Sequence, residues 1–307
     1  MGKYIIRRVL QMIPVLLGTT FLIYLLVFLL PGDPTDGRCG QRPCSPEYVA
    51  SFRAEYNLDK PFIVQYLLYL GKLLHGDLGT NFYGNTVVSE LAVRYPVTLK
   101  LAVMAIIIEA VVGIAAGVAA GMRKGKFVDN LITITTLVLI SIPVFVIGSL
   151  AQLVLGVKWH IFPVTSTNGT FDQLILPAIV LAALNVAYAA RLTRTSLVEN
   201  LRADYVRTAK AKGLSALRTV GIHTLRNSLI PVITYIGASF GSLLGGAIVT
   251  ERIFNVNGVG SFLFRSINTQ DGVSVVGTVV VLVFVYLVVN LLVDILYGVL
   301  DPRMSRD

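Results

Sequence analysis

The string Gly237-Ala-Ser239-Phe-Gly241 has the G-x-S-x-G spacing of a nucleophilic serine presented at a strand-to-helix turn. Such a serine needs a base. The three histidines, His75, His160 and His223, all fall in polar segments, whereas Ser239 lies inside a long apolar run. A packing role fits better: Gly237, Gly241 and Gly245 recur every four residues, as do Gly113, Gly117 and Gly121, and stripes of this kind let two membrane helices approach closely. No G-x-x-x-x-G-K-[ST] occurs, since Gly125-Lys126 is followed by Phe127, so the chain lacks a P-loop for ATP. Cys39 and Cys44 are the only cysteines. In an oxidising compartment they could bridge; otherwise they stay free thiols or share a metal, although no histidine stands near enough to complete a site. Glu109 and Asp294 are acids inside apolar runs, a costly placement that asks for protein, water or a partner around them. Either could line a transport path or latch an interface; the plainer alternatives are a satisfied polar contact and, for Asp294, snorkelling to the boundary. The sequence contains no catalytic, cofactor-binding or metal constellation, and we expect no enzyme activity in this chain.

The elements that hold these residues follow from composition. Of 307 residues 55% are hydrophobic and only 14% charged, with mean hydropathy +0.75, too little polar surface to coat a water-soluble globule of 33.3 kDa. An all-α membrane protein is expected. Six runs are long enough to cross about 30 Å of hydrocarbon, at Val9 to Leu30, Val97 to Gly121, Leu131 to Val157, Leu174 to Ala190, Ser228 to Thr250 and Val273 to Tyr297. The first lacks a small-residue cleavage site and reads as a retained helix that Pro14 would only kink.

With six spans both termini share a face. The segments on that face (1–8, 122–130, 191–227 and 298–307) hold 16 basic and 5 acidic residues, against 9 and 10 in 31–96, 158–173 and 251–272. The positive-inside rule places both termini in the cytoplasm, and the net charge of +9 is then membrane topology, with no nucleic acid implied. Two soluble pieces are long enough to have shape. The outward one ends its first turn signals at Pro31-Gly-Asp-Pro34 and continues after Lys60-Pro61 into Phe62-Ile-Val-Gln-Tyr-Leu-Leu-Tyr-Leu, suited to a helix lying on the membrane surface. The inward one, 191–227, reads as two short helices: Leu197, Leu201 and Tyr205 keep helical spacing, and Gly213 with Ser215 marks a stop and restart. Asp204 is placed to cap the helix that follows it.

Four stretches together resemble the permease subunits of peptide and nickel ABC importers, the binding-protein-dependent type I transmembrane domain, nearly end to end. They are Tyr4-Ile-Ile-Arg7-Arg8 with Pro14 and Leu30-Pro31-Gly32-Asp33-Pro34; Gly76-Asp77-Leu78-Gly79; Glu251-Arg-Ile-Phe254 with Gly258-Val-Gly260; and Asp294-Ile-Leu-Tyr297 with Asp301-Pro302-Arg303. In the inward segment, Asp204-Tyr-Val-Arg207-Thr208-Ala209-Lys-Ala-Lys212-Gly213, then nine residues, then His223-Thr-Leu225-Arg226, resembles the cytoplasmic EAA signature in spacing and in Ala209, Gly213 and Leu225. Arg207, Thr208, His223 and Arg226 depart from it, as in the peptide-importer branch.

The resemblance implies a fold of six transmembrane helices with an extracellular lobe between the first two. It implies a first region at 1–96, a core at 97–300 carrying the coupling loop 191–227, and a tail at 301–307. ATPase coupling would fall on Asp204, Arg207, Thr208, Ala209, Lys212, Gly213 and Leu225. The implied partners are a second homologous permease subunit, two ATPase subunits or one fused ATPase, an extracellular substrate-binding protein and membrane lipid, with ATP and Mg held by the ATPases and no cofactor in this chain. The implied function is import of short peptides across the bacterial cytoplasmic membrane by alternating access. Nickel or another small solute is the nearest alternative, and a stand-alone channel or secondary carrier the alternative of a different class.

Overall fold

A computed structural model describes residues 2–29, 35, 38, 39, 44–215 and 218–300, and the side chains of all of these except 2–4, 210, 223, 246 and 296–300. The turn at 30–34, the Asp301-Pro302-Arg303 motif, the 301–307 tail and the side chains of Lys210, His223 and Tyr297 lie outside this description. The chain is helical, with no strand among the described residues beyond an isolated bridge between Thr80 and Thr86. It divides into two compact units, Met1–Thr98 with Asn257–Asp307, and Leu99–Val256.

In the first unit, α1 (Gly2–Phe28) packs along the C-terminal helix α11 (Gly272–Leu300). After α1 come α2 (Pro46–Glu55) and α3 (Phe62–Leu74). Ser45 caps α2 by accepting the Tyr48 N–H at 3.3 Å, and Pro46 takes the first turn, where its missing N–H costs nothing. On α3, Tyr66 turns inward: its hydroxyl meets Thr20 Oγ1 at 2.8 Å, and its ring stands edge-on to Phe21 at 5.2 Å. Ile63, Val64, Leu67, Leu68 and Leu74 stay exposed, the apolar face an interfacial helix presents. A short helix, α10 (Val259–Asn268), precedes α11.

Helix α4 (Val87–Met122) starts ten residues earlier than hydropathy suggests, because a helix continues through polar sequence once its backbone hydrogen bonds propagate, and it includes Pro96. In the second unit its Gly113, Gly117 and Gly121 pack against α7 (Phe171–Asn200). A methyl built on Gly117 would stand 2.4 Å from Thr193 Cβ and 2.5 Å from the Ala190 carbonyl, so only glycine admits this approach. In the second pattern Gly245, by contrast, has nothing within 4 Å.

The third apolar run is not one straight span. It breaks into α5 (Phe127–Ser141) and α6 (Val144–Ala151), the latter continuing as a π-helical stretch to Lys158, with a bend of 104°. Pro143 is the cause. It cannot donate to the preceding turn, and it holds Ile142 in an extended conformation, φ −100° and ψ 128°. Among the described residues, five helices are long and apolar enough to cross a membrane, or six if the bent pair counts as one span.

The 191–227 segment also differs from expectation. Helix α7 runs on to Asn200, ten residues past the apolar run, and the spacing of Leu197, Leu201 and Tyr205 is interrupted by a turn at 201–203. Among the described residues one short α-helix, α8 (Asp204–Ala211), follows. A π-helical turn, Thr219–Thr224, then feeds directly into α9 (Leu225–Ile253).

Candidate functional site: the α7–α9 connection

The segment from α7 to α9 is a small, internally braced knob. Val206 and Ala209, three residues apart on α8, are buried, whereas Asp204, Tyr205, Arg207 and Thr208 are exposed. Helix α8 packs against the π-helical turn. The backbone then leaves by way of Gly213 at φ +78°, where the Leu214 N–H closes onto the Ala209 carbonyl at 3.2 Å; a left-handed residue at this point is how a helix stops and turns. Side chains tie the knob to its supports. Tyr205 donates to Asn200 Oδ1 at 2.7 Å, and Asn200 Nδ2 donates to the Ser196 carbonyl at 2.9 Å. Ser228 of α9 donates to the Thr224 carbonyl at 2.8 Å, and Thr224, itself buried, donates to the Thr219 carbonyl at 3.0 Å.

The seven residues singled out for coupling separate by this geometry. Asp204, Arg207, Thr208, Lys212 and Gly213 are on the outside, with Arg202 and Arg218 beside them giving the surface a basic character. Asp204 lies in the first turn of α8, and its carboxylate faces Arg207 Nη1 at 3.8 Å across solvent, a contact of little energetic weight. Ala209 is inside, holding α8 down, and Leu225 is half-buried at the start of α9.

The knob's root is a contact the sequence does not advertise. Arg194 of α7 grips the buried Asp129 of α5, which also accepts the Gly125 N–H at 2.8 Å. Both had counted only as charges of polar segments. Asp129 does carry one local signal, its place in the first turn of α5, where a carboxylate suits the helix dipole.

The other acids resolve as follows. Glu109 is fully buried; Ser239 Oγ lies 2.9 and 2.8 Å from its two carboxyl oxygens and 2.9 Å from the Ile236 carbonyl, so the serine of the G-x-S-x-G string ties α9 to α4 from mid-helix. Asp294 pairs with Arg8 at 3.2 Å in a notch it shares with Gln11 and Asn290. Cys39 and Cys44 form a disulfide. The adjacent Arg38 is almost fully enclosed: it faces Asp271 at 3.6 Å, donates to the Thr80 carbonyl at 3.2 Å, and sits over the rings of Phe52 and Phe82 at 4.4 and 4.8 Å. Among the described residues no group of three or more His, Cys, Asp or Glu side chains could hold a metal ion.

Several helices long and apolar enough to span a membrane, together with a serine bonded to a buried carboxylate from mid-helix, define a multi-pass membrane protein. The chain belongs to the family of binding-protein-dependent transport system inner membrane components, which residues 113–306 match, and residues 1–102 match the corresponding N-terminal membrane component. It is a type I ABC permease of the cytoplasmic membrane, a transport component and not an enzyme. Among its relatives is the dipeptide transport system permease protein DppB of Escherichia coli strain K12, 37% identical over 337 aligned residues covering 100% of this chain and 99% of that protein. The DppB of Alkalihalophilus pseudofirmus is 34% identical over 333, covering 99% and 100%.

Proposed function

We propose that this chain is one of two permease subunits of an ATP-driven importer for short peptides, and that residues 191–227 form the lever on which the ATPases act. The observation that carries this reading is the end-to-end similarity to dipeptide permeases, combined with an exposed, basic and internally braced α8. In this reading both termini and the knob are cytoplasmic, and the disulfide-containing segment between α1 and α4 faces outward to a substrate-binding protein. A second, homologous permease completes the channel. Two ATPase subunits, or one fused chain, hold ATP and Mg and seat the two knobs; closing on ATP they draw the knobs together and open the path outward, and hydrolysis resets it. The permease supplies no covalent chemistry, only two conformations whose balance the nucleotide shifts.

The test is reconstitution of the chain with the products of its genomic neighbours in proteoliposomes. The expected result is uptake of labelled dipeptide that requires both ATP and the binding protein, with ATPase activity stimulated by the loaded binding protein. Uptake of nickel complexes but not dipeptides would replace the substrate. Transport by this chain alone, without nucleotide, would overturn the importer reading.

A further inference from the structure

A cavity of about 160 Å³ lies wholly within the first unit, among Tyr24 of α1, Glu55 and Tyr56 at the end of α2, Tyr69 and Lys72 of α3, and Asp77 of the loop that follows. Local structure sets its walls. Gly79, at φ +80°, brings that loop so near α11 that a methyl on it would stand 2.6 Å from Val273 Cγ1 and 3.1 Å from the Tyr56 hydroxyl, so the chain admits only glycine there. The Tyr56 hydroxyl accepts the Thr80 N–H at 3.3 Å, and Asp77 Oδ1 accepts the Gly79 N–H at 2.8 Å. The ring centres of Tyr24 and Tyr69 are 5.0 Å apart.

The polar groups of this lining are under-used. The Tyr69 hydroxyl is buried and has no hydrogen-bond partner among the described residues. Lys72, half-buried, donates from Nζ to the Glu55 carbonyl at 3.0 Å and stands 5.4 Å from the centre of the Tyr56 ring. An ammonium has further hydrogens to give, and no carboxylate pairs with this one among the described residues. Glu55 and Asp77, both exposed, add two carboxylates, of which only Asp77 Oδ1 is engaged within the chain.

A buried hydroxyl without an acceptor is rare in a folded chain, because nothing replaces the water it has lost. The space holds about five waters at about 30 Å³ each, or one small molecule. Water would meet the need of Tyr69 alone. The lining offers more: a cation and a hydroxyl that both donate, two carboxylates that accept, and tyrosine ring faces that favour an ammonium. These are the complements of a carboxylate and an ammonium carried by one compact molecule.

We propose that the cavity binds a free, zwitterionic α-amino acid with a small side chain, its carboxylate taken by Lys72 and Tyr69 and its ammonium by Asp77 and Glu55 against the tyrosine rings. The site belongs to the first unit alone and does not depend on which solute the transporter carries.

Isothermal titration calorimetry on the full chain in lipid nanodiscs tests this with L-alanine, and with acetate, methylammonium and L-alanyl-L-alanine for comparison. L-Alanine should give saturable heat, with acetate and methylammonium each about tenfold weaker or more, since either supplies only half of the paired charges. The dipeptide should be excluded by size. Tyr69→Phe removes an oxygen that nothing in the chain uses, so this variant should melt no lower than the unmutated chain, yet bind L-alanine about tenfold more weakly. Lys72→Gln should weaken binding at least as much. No saturable heat from L-alanine, or equal affinity in the unmutated, Tyr69→Phe and Lys72→Gln chains, would leave the cavity to water and overturn the proposal. Binding of the dipeptide without binding of L-alanine would overturn it as well.

Discussion

Arg194 of α7 holds Asp129 of α5 in a two-pronged grip, Nε to Oδ1 at 2.5 Å and Nη2 to Oδ2 at 2.7 Å. This contact stands where α7 leaves its apolar stretch, and it fixes the base from which α8 projects. A lever pushed by a soluble subunit transmits motion only if its base does not yield. Asp129→Ala is expected to lower stability by about 2–3 kcal/mol, because it strands a guanidinium already partly removed from water. Arg194→Lys keeps the charge but loses the fork, for about 1 kcal/mol. Thermal unfolding of the single and double alanine variants in detergent checks this: a double variant no worse than Asp129→Ala confirms the coupling, whereas additive losses would deny it.

Gly213 at φ +78° has open space where a side chain would go, so its substitution acts through the backbone alone. Gly213→Val should strain the turn by about 1–2 kcal/mol and misdirect α8, while Gly213→Asn, which tolerates the left-handed region, should be nearly silent. Both variants should reach the membrane in normal amounts. The valine variant is expected to lose most uptake while ATPase activity becomes independent of the loaded binding protein. Equal, coupled transport by valine and asparagine variants would mean that the turn is not part of the lever.

The sequence reveals most where one residue type carries a local physical demand. The spans, the tight approach of Gly113, Gly117 and Gly121, and the turn at Gly213 are of this kind. It reveals less where hydropathy and helicity part company: α7 continues past Ala190 and α4 begins before Val97 because a helix needs hydrogen bonds and not apolar residues to go on. The 104° bend had a visible cause in Ile142-Pro143, hidden by the unbroken apolarity around it. Least legible are contacts between residues distant in sequence, such as Asp129 with Arg194 and Arg38 with Asp271, whose charges alone fit any polar segment.

Gly117 and Gly245, alike in their four-residue patterns, should respond differently to mutation. A methyl at Gly117 would overlap Thr193 and the Ala190 carbonyl, and α4 cannot be relieved without moving off α7. Gly117→Ala is expected to cost about 2–3 kcal/mol through overpacking and to reduce recovery of folded protein from the membrane. Gly245→Ala meets nothing and, with better helix propensity, should be neutral or slightly stabilising. Size-exclusion profiles in detergent distinguish the two. Equal behaviour would contradict the close approach at Gly117.

Asp271, just before α11, anchors the segment that carries the disulfide. Its oxygens accept the Phe82 N–H at 3.1 Å, the Ser274 N–H at 3.3 Å and the Ser274 hydroxyl at 2.7 Å, and face the enclosed Arg38. The disulfide next door closes only a short loop, so it stabilises this region by about 2 kcal/mol through the unfolded chain. Asp271→Ala removes contacts to three residues, Phe82, Ser274 and Arg38, at once and leaves Arg38 buried without this counter-charge, an expected loss of about 3 kcal/mol or more. The paired replacement Cys39→Ser with Cys44→Ser should therefore be milder than Asp271→Ala when both are compared by limited proteolysis of the 31–96 segment. The reverse order would mean that the covalent bridge, and not the Arg38–Asp271 contact, holds this segment in place.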